Sequence, residues 1–111
     1  MKECPIDGVR FGASSKKAIS EMRDMSKRAN WLSTALAGSI LSDIFVKNGP
    51  IGASYKIHTT DFELLGTAMA ASTPILRRKA SDLAGSMILL HSGSLNNQEK
   101  KFWRCMYNAI K

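Results

Sequence analysis

Small and apolar side chains recur at Ala18, Met22, Met25, Ala29, Leu32 and Leu36, in alternating steps of four and three. That spacing is the pattern of a helix buried along one stripe. With about 100° of rotation per residue, Lys16, Ser20, Arg23 and Lys27 fall almost opposite the stripe. The pattern predicts a long first helix over residues 15–47, opened by Ser14 or Ser15 as its cap. Asn48-Gly49-Pro50 ends it, a left-handed stop followed by a residue that cannot continue the hydrogen-bond ladder. Near Ser39 the seam slips to Ile40, Leu41, Ile44, Phe45 and Val46, so the second half of the helix is expected to enter the core.

The remaining segments are shorter. Residues 1–13 read as an irregular lead with a turn at Asp7-Gly8 and a very short strand at Val9, Arg10 and Phe11. Residues 49–60 read as a connector, in which residues 54–58 place Tyr55 and Ile57 on one strand face that can pair with the lead as a two-stranded ribbon. Thr60 and Glu63 have capping-box spacing, and Phe62, Leu65 and Met69 continue at helical steps, predicting a helix over 61–72. Pro74 opens another over 74–91, closed by His91 and Gly93. Asn96 to Glu99 is a second capping signal, and Phe102, Trp103, Met106, Tyr107 and Ile110 give the last helix its apolar face. The stretch Leu-Ala-Gly-Ser occurs at 36–39 and again at 83–86. A glycine inside a helix costs about 1 kcal/mol relative to alanine, so a crossing of the first and third helices at Gly38 and Gly85 would account for both.

The fold class expected is therefore mainly α: one small domain, 1–111, of about four helices with a minor ribbon. A hydrophobic content of 44% with 23% charged residues is enough to build a core and excludes wholesale disorder. Two valines in the whole chain are too few β-formers for a barrel or sandwich. Cys4 and Cys105 sit at opposite ends with no neighbouring cysteine, which reads as two reduced thiols in a cytoplasmic protein rather than a disulfide framework. Lys2, Glu3, Pro5 and Asp7 interrupt any apolar leader. The most membrane-like stretch, 31–46, is shorter than the roughly 20 apolar residues of a spanning helix, so no membrane contact is expected.

Charge narrows the function further. Sixteen Lys and Arg against nine Asp and Glu give a net charge of +7. Residues 1–28 and 77–111 each carry seven cations, whereas 29–76 carry only Lys47 and Lys56. Two basic ends flank an apolar middle. Lys17, Glu21, Asp24 and Arg28 form a mixed row spaced for mutual pairing, but Lys16, Arg23 and Lys27 have no acidic partner on their row. Arg77, Arg78 and Lys79 lie in the first turns of their helix, where the dipole gives cations no benefit. Lys100, Lys101 and Arg104 repeat the theme beside Trp103 and Tyr107.

Catalytic chemistry has little support. His58 and His91 are the only histidines, and neither has a His, Cys or carboxylate at helical metal-ligand spacing, so no metal or other cofactor is expected. Ser14 and Lys17 match S-x-x-K, but the companion S-D-N and K-T-G motifs are absent. Residues 8–16 fail the phosphate-loop spacing, although the first turn of the first helix, with Ser14, Ser15 and two lysines, is a candidate anion site. No helix-turn-helix, zinc knuckle or RNP signature is recognisable, which favours backbone or shape contact over base readout.

The reading that follows is a non-enzymatic binding protein that contacts nucleic acid or a nucleoprotein assembly as a subunit, regulator or inhibitor. Lys16, Arg23, Lys27, Arg77, Arg78, Lys79, Lys100, Lys101 and Arg104 would meet phosphates, or else an acidic protein surface. The alternative is a protein-binding adaptor or chaperone of secretion or phage accessory type. Its Met-rich seam would present Met22, Met25, Leu32, Trp103 and Tyr107 to a partner helix or to a second copy in a homodimer.

Overall fold

A computed structural model of the chain describes residues 4–29 and 55–110. In chain order these form β1 (Ile6–Val9), α1 (Ala13–Ala29), β2 (Tyr55–Ile57), α2 (Thr59–Ala70), α3 (Pro74–Leu90), a 3₁₀ turn (Ser92–Ser94) and α4 (Asn97–Ile110). The fold is mainly α, with four α-helices and one two-stranded antiparallel ribbon among the described residues. α1 is described over 17 residues. Its expected continuation to Lys47, with Leu32, Leu36 and Gly38, lies outside the described residues.

The ribbon begins three residues earlier in the lead than the pattern predicts, at Ile6 rather than Val9. Ile6 pairs with Ile57 and Asp7 with Lys56, and the register shifts before Val9 meets Tyr55. Asp7-Gly8 is thus a bulge within β1 rather than a turn before it. Gly8 takes a φ of 88°, a conformation in which a side chain would be strained. The bulge lets Ile6 and Val9 both face the interior, as their complete burial records.

Helix starts show where local signals acted and where they slid. α1 opens at Ala13, with the Gly12 carbonyl accepting from the Lys16 N–H, so neither Ser14 nor Ser15 is its cap. The capping box of α2 lies two residues upstream of the expected one: the Asp61 carboxylate accepts from the His58 N–H at 2.9 Å. β2 ends at Ile57 and leaves His58 as the natural cap position, whereas Thr60 is already helical. α3 starts at Pro74 behind Thr73, whose hydroxyl accepts from the Leu76 N–H at 3.4 Å. α4 has the complete reciprocal box: Asn96 Oδ1 accepts from the Glu99 N–H at 2.8 Å, and Glu99 Oε1 from the Asn96 N–H at 3.2 Å.

α4 is the hub of the core, packing against α3, α2 and β1. Its Phe102, Trp103, Met106 and Ile110 are wholly buried, and Phe102 meets Phe11 edge-on with ring centroids 4.9 Å apart. Two helical glycines mark close approaches to it. A Cβ at Gly66 would lie 3.1 Å from the Ala109 carbonyl oxygen, and one at Gly85 would lie 3.4 Å from the Tyr107 ring. Gly85 thus lies close against α4, while Gly38, the other glycine of the expected crossing between the first and third helices, lies outside the described residues.

The cysteines correct the expectation of free thiols. Cys4 and Cys105 form a disulfide that spans 101 residues of sequence, with Cα atoms 6.0 Å apart. β1 lies along α4, and this packing brings together two thiols whose spacing in sequence implies nothing. Both cysteines are buried, at 4% and 5% exposure.

Candidate nucleic-acid interface

The first turn of α1 is an anion site, and the protein fills it itself. The Gly12 N–H donates to Glu99 Oε2 at 3.0 Å, and the Ser15 hydroxyl donates to the same oxygen at 2.5 Å. Trp103 Nε1 donates to Ser15 Oγ at 3.0 Å. Glu99 is only 2% exposed and also belongs to the capping box of α4, so a single carboxylate serves the starts of two helices. A free N-terminus of a helix favours negative charge. Here the charge comes from 87 residues away rather than from a ligand. The capping signal of Glu99 is legible in the sequence; its reach to Gly12 and Ser15 is not.

The basic clusters divide by what each cation touches. On α1, Lys16 and Lys27 are exposed, whereas Arg23 is half-buried and donates from Nη2 to Ser20 Oγ at 3.3 Å. On α3, Arg77, Arg78 and Lys79 are all exposed, and Arg77 sends Nε to the Ile110 carbonyl oxygen at 2.9 Å. A cation gains nothing at the start of its own helix, yet this one sits at the end of another, where orphan carbonyls and the negative pole of the dipole favour it. On α4, Lys101 and Arg104 are exposed and Lys100 is half-buried.

The residues expected to meet a protein partner fare differently. Met22 and Trp103 are completely buried, and Met106 with them, so they belong to the interior and present nothing to a partner. Their helical spacing marks a core face, and periodicity alone does not say whether the chain itself or another molecule covers it. Met25 and Tyr107 are half-buried and pack against the core, and Leu32 lies outside the described residues.

Sequence reasoning also passed over two side chains that burial brings forward. Asn97 and Asn108 are exposed on the same side of α4 as Lys101 and Arg104, because residues 97, 101, 104 and 108 are spaced four, three and four apart. That spacing was available as a signal, but uncharged residues do not register in a search for charge.

Between α1 and α3 runs a cleft of about 440 Å³, lined by Ser14, Lys17, Glu21, Ser86, Met87 and His91 among others. Ser86 Oγ donates to the Leu83 carbonyl, and the Ser14 hydroxyl lies 3.5 Å from that of Ser94. Among the described residues neither hydroxyl is hydrogen-bonded to the His91 side chain. Among the described residues no group of three or more His, Cys, Asp or Glu is placed to hold a metal ion, and no helix is long and apolar enough to cross a membrane.

No protein-family model, curated protein or solved structure matches the chain.

Proposed function

We propose that this protein binds nucleic acid, alone or within a nucleoprotein assembly, through contacts to the phosphate backbone and without catalysis. The observation that carries the reading is a division of side chains. Lys16, Lys27, Arg78, Lys79, Lys101 and Arg104 stand exposed, while Met22 and Trp103, needed by the adaptor reading, are consumed by the core. Arg77 and Arg23 contribute less, since each is turned toward a neighbour within the protein. A regulator, subunit or inhibitor of a nucleoprotein machine needs no more chemistry than this.

The expected cytoplasmic location rested on reduced thiols, and the Cys4–Cys105 bridge removes that support. Burial of both cysteines shields the bridge, because exchange needs a thiolate to reach a sulfur atom.

Gel-shift or anisotropy titrations at two ionic strengths test the reading. If about four phosphates are neutralised, affinity falls about a hundredfold between 50 and 200 mM salt. Binding that ignores salt, or no binding to any nucleic acid at low salt, overturns it. An adaptor would instead use the apolar surface left outside the core, chiefly Leu89 and Leu90 at 81% and 77% exposure.

A further inference from the structure

The outward stripe of α4 carries more information than charge. Asn97, Lys101, Arg104 and Asn108 fall within one narrow sector of the helix and are all exposed. They span about 16 Å along its axis at 1.5 Å per residue. The single acidic residue of α4, Glu99, is buried and turned toward α1, so nothing negative stands on the stripe. The helix is also held in place. The Glu99 network secures its start, Cys105 bonds its middle to Cys4, and Arg77 meets its last carbonyl.

The residue types on the stripe are those that read duplex DNA in its major groove. Arginine and lysine pair with phosphate or the guanine edge, and asparagine forms paired hydrogen bonds with adenine. The aromatic residues decide between partners. A single strand is gripped by rings on which bases stack. Among the described residues Phe62, Phe102 and Trp103 are buried, and Phe11, Tyr55 and Tyr107 are half-buried against the core, so no phenyl, phenol or indole ring stands fully exposed there. A-form RNA offers a major groove too deep and narrow for side chains to read.

We infer that α4 is a reading helix for B-form duplex DNA, with Asn97, Lys101, Arg104 and Asn108 directed into the major groove. This rests on the nucleic-acid reading above, names duplex DNA as the partner, and adds base contacts by α4 to the backbone contacts proposed there, against the sequence expectation of backbone contact alone. The test titrates the full-length protein against a duplex DNA, one of its single strands and the corresponding duplex RNA at low salt, followed by selection from a random duplex pool. The duplex DNA is expected to bind about tenfold or more tightly than the other two, and the selected pool to converge on a preferred sequence. A Lys101→Gln/Arg104→Gln double variant should keep its circular-dichroism spectrum, lose roughly ten- to a hundredfold in affinity and lower the salt slope by about 2. Asn97→Ala/Asn108→Ala should flatten the sequence preference and leave that slope unchanged. Equal or tighter binding to the single strand or the RNA overturns the inference. So does a pool without preference, or an affinity that depends on Lys16 and Lys27 rather than Lys101 and Arg104. Each of those outcomes leaves the broader nucleic-acid reading standing, whereas no binding to any of the three probes defeats both.

Discussion

Two corners of the molecule solve the same problem in opposite ways. Where α1 and α4 begin, orphan backbone donors are satisfied by one buried carboxylate, reached across 87 residues of sequence from Gly12. Where α3 begins, the partner is three residues away and open to solvent: the Thr73 hydroxyl accepts from Leu76. At the first corner the carboxylate and the Ser15 hydroxyl are closed off from water, whereas the cap at the second is open to it. Unmade hydrogen bonds cost the most where solvent cannot replace them. The geometry looks alike, but burial sets the consequence.

The largest test of that contrast is Glu99→Ala. It leaves the buried Ser15 hydroxyl without its acceptor, at about 1–3 kcal/mol, and removes the charge-assisted bonds to the more exposed Gly12 and Asn96 N–H groups, at about 1 kcal/mol or less each. A loss of about 3 kcal/mol is expected in urea unfolding. Glu99→Gln, which keeps one acceptor oxygen, should lose roughly half as much. If Glu99→Ala cost under about 1 kcal/mol, the corner would have to be hydrated and the contrast would collapse.

Next comes the other long-range tie. Cys4→Ser/Cys105→Ser, or reduction of the native protein, should cost about 2–4 kcal/mol, since the bridge closes nearly the whole chain. Hydrogen exchange should show where the loss falls. Amides of β1 and β2 should lose protection first, because a ribbon of four and three residues has little else to keep it against α4. An unchanged unfolding midpoint in the Cys4→Ser/Cys105→Ser variant would show the bridge to be dispensable.

At the opposite corner the effects shrink. Arg77→Ala removes the donor to the Ile110 carbonyl and should cost about 1 kcal/mol, read as a small shift of the urea midpoint. Thr73→Ala should cost least, about 0.5 kcal/mol, because the cap bond is long and water can take its place. A Thr73 effect as large as that of Glu99 would mean that local capping, not burial, governs both corners.

What could be read from the sequence was whatever a short window contains. Pro74 opened α3 and Asn96–Glu99 capped α4 because both signals act within one helical turn. Phe62, Leu65, Met69, Phe102 and Met106 marked core faces because helical spacing alone puts them on one side. Neighbours moved the signals that failed. The box of α2 slid to His58 and Asp61 when β2 claimed Tyr55–Ile57, and Asp7-Gly8 became a bulge when β1 paired.

The candidate interface followed the same rule. The sequence by itself determined the helical class, the basic ends of the chain and the cations spaced along α1, α3 and α4. Only the tertiary structure decided which cations remain outside, that Arg77 serves the end of α4, that Met22 and Trp103 belong to the core, and that Cys4 meets Cys105. The physical reason is range. Helix propensity and periodicity act over a few residues, while a buried carboxylate, a disulfide and a covered face depend on partners that only the packing of distant segments brings within bonding distance.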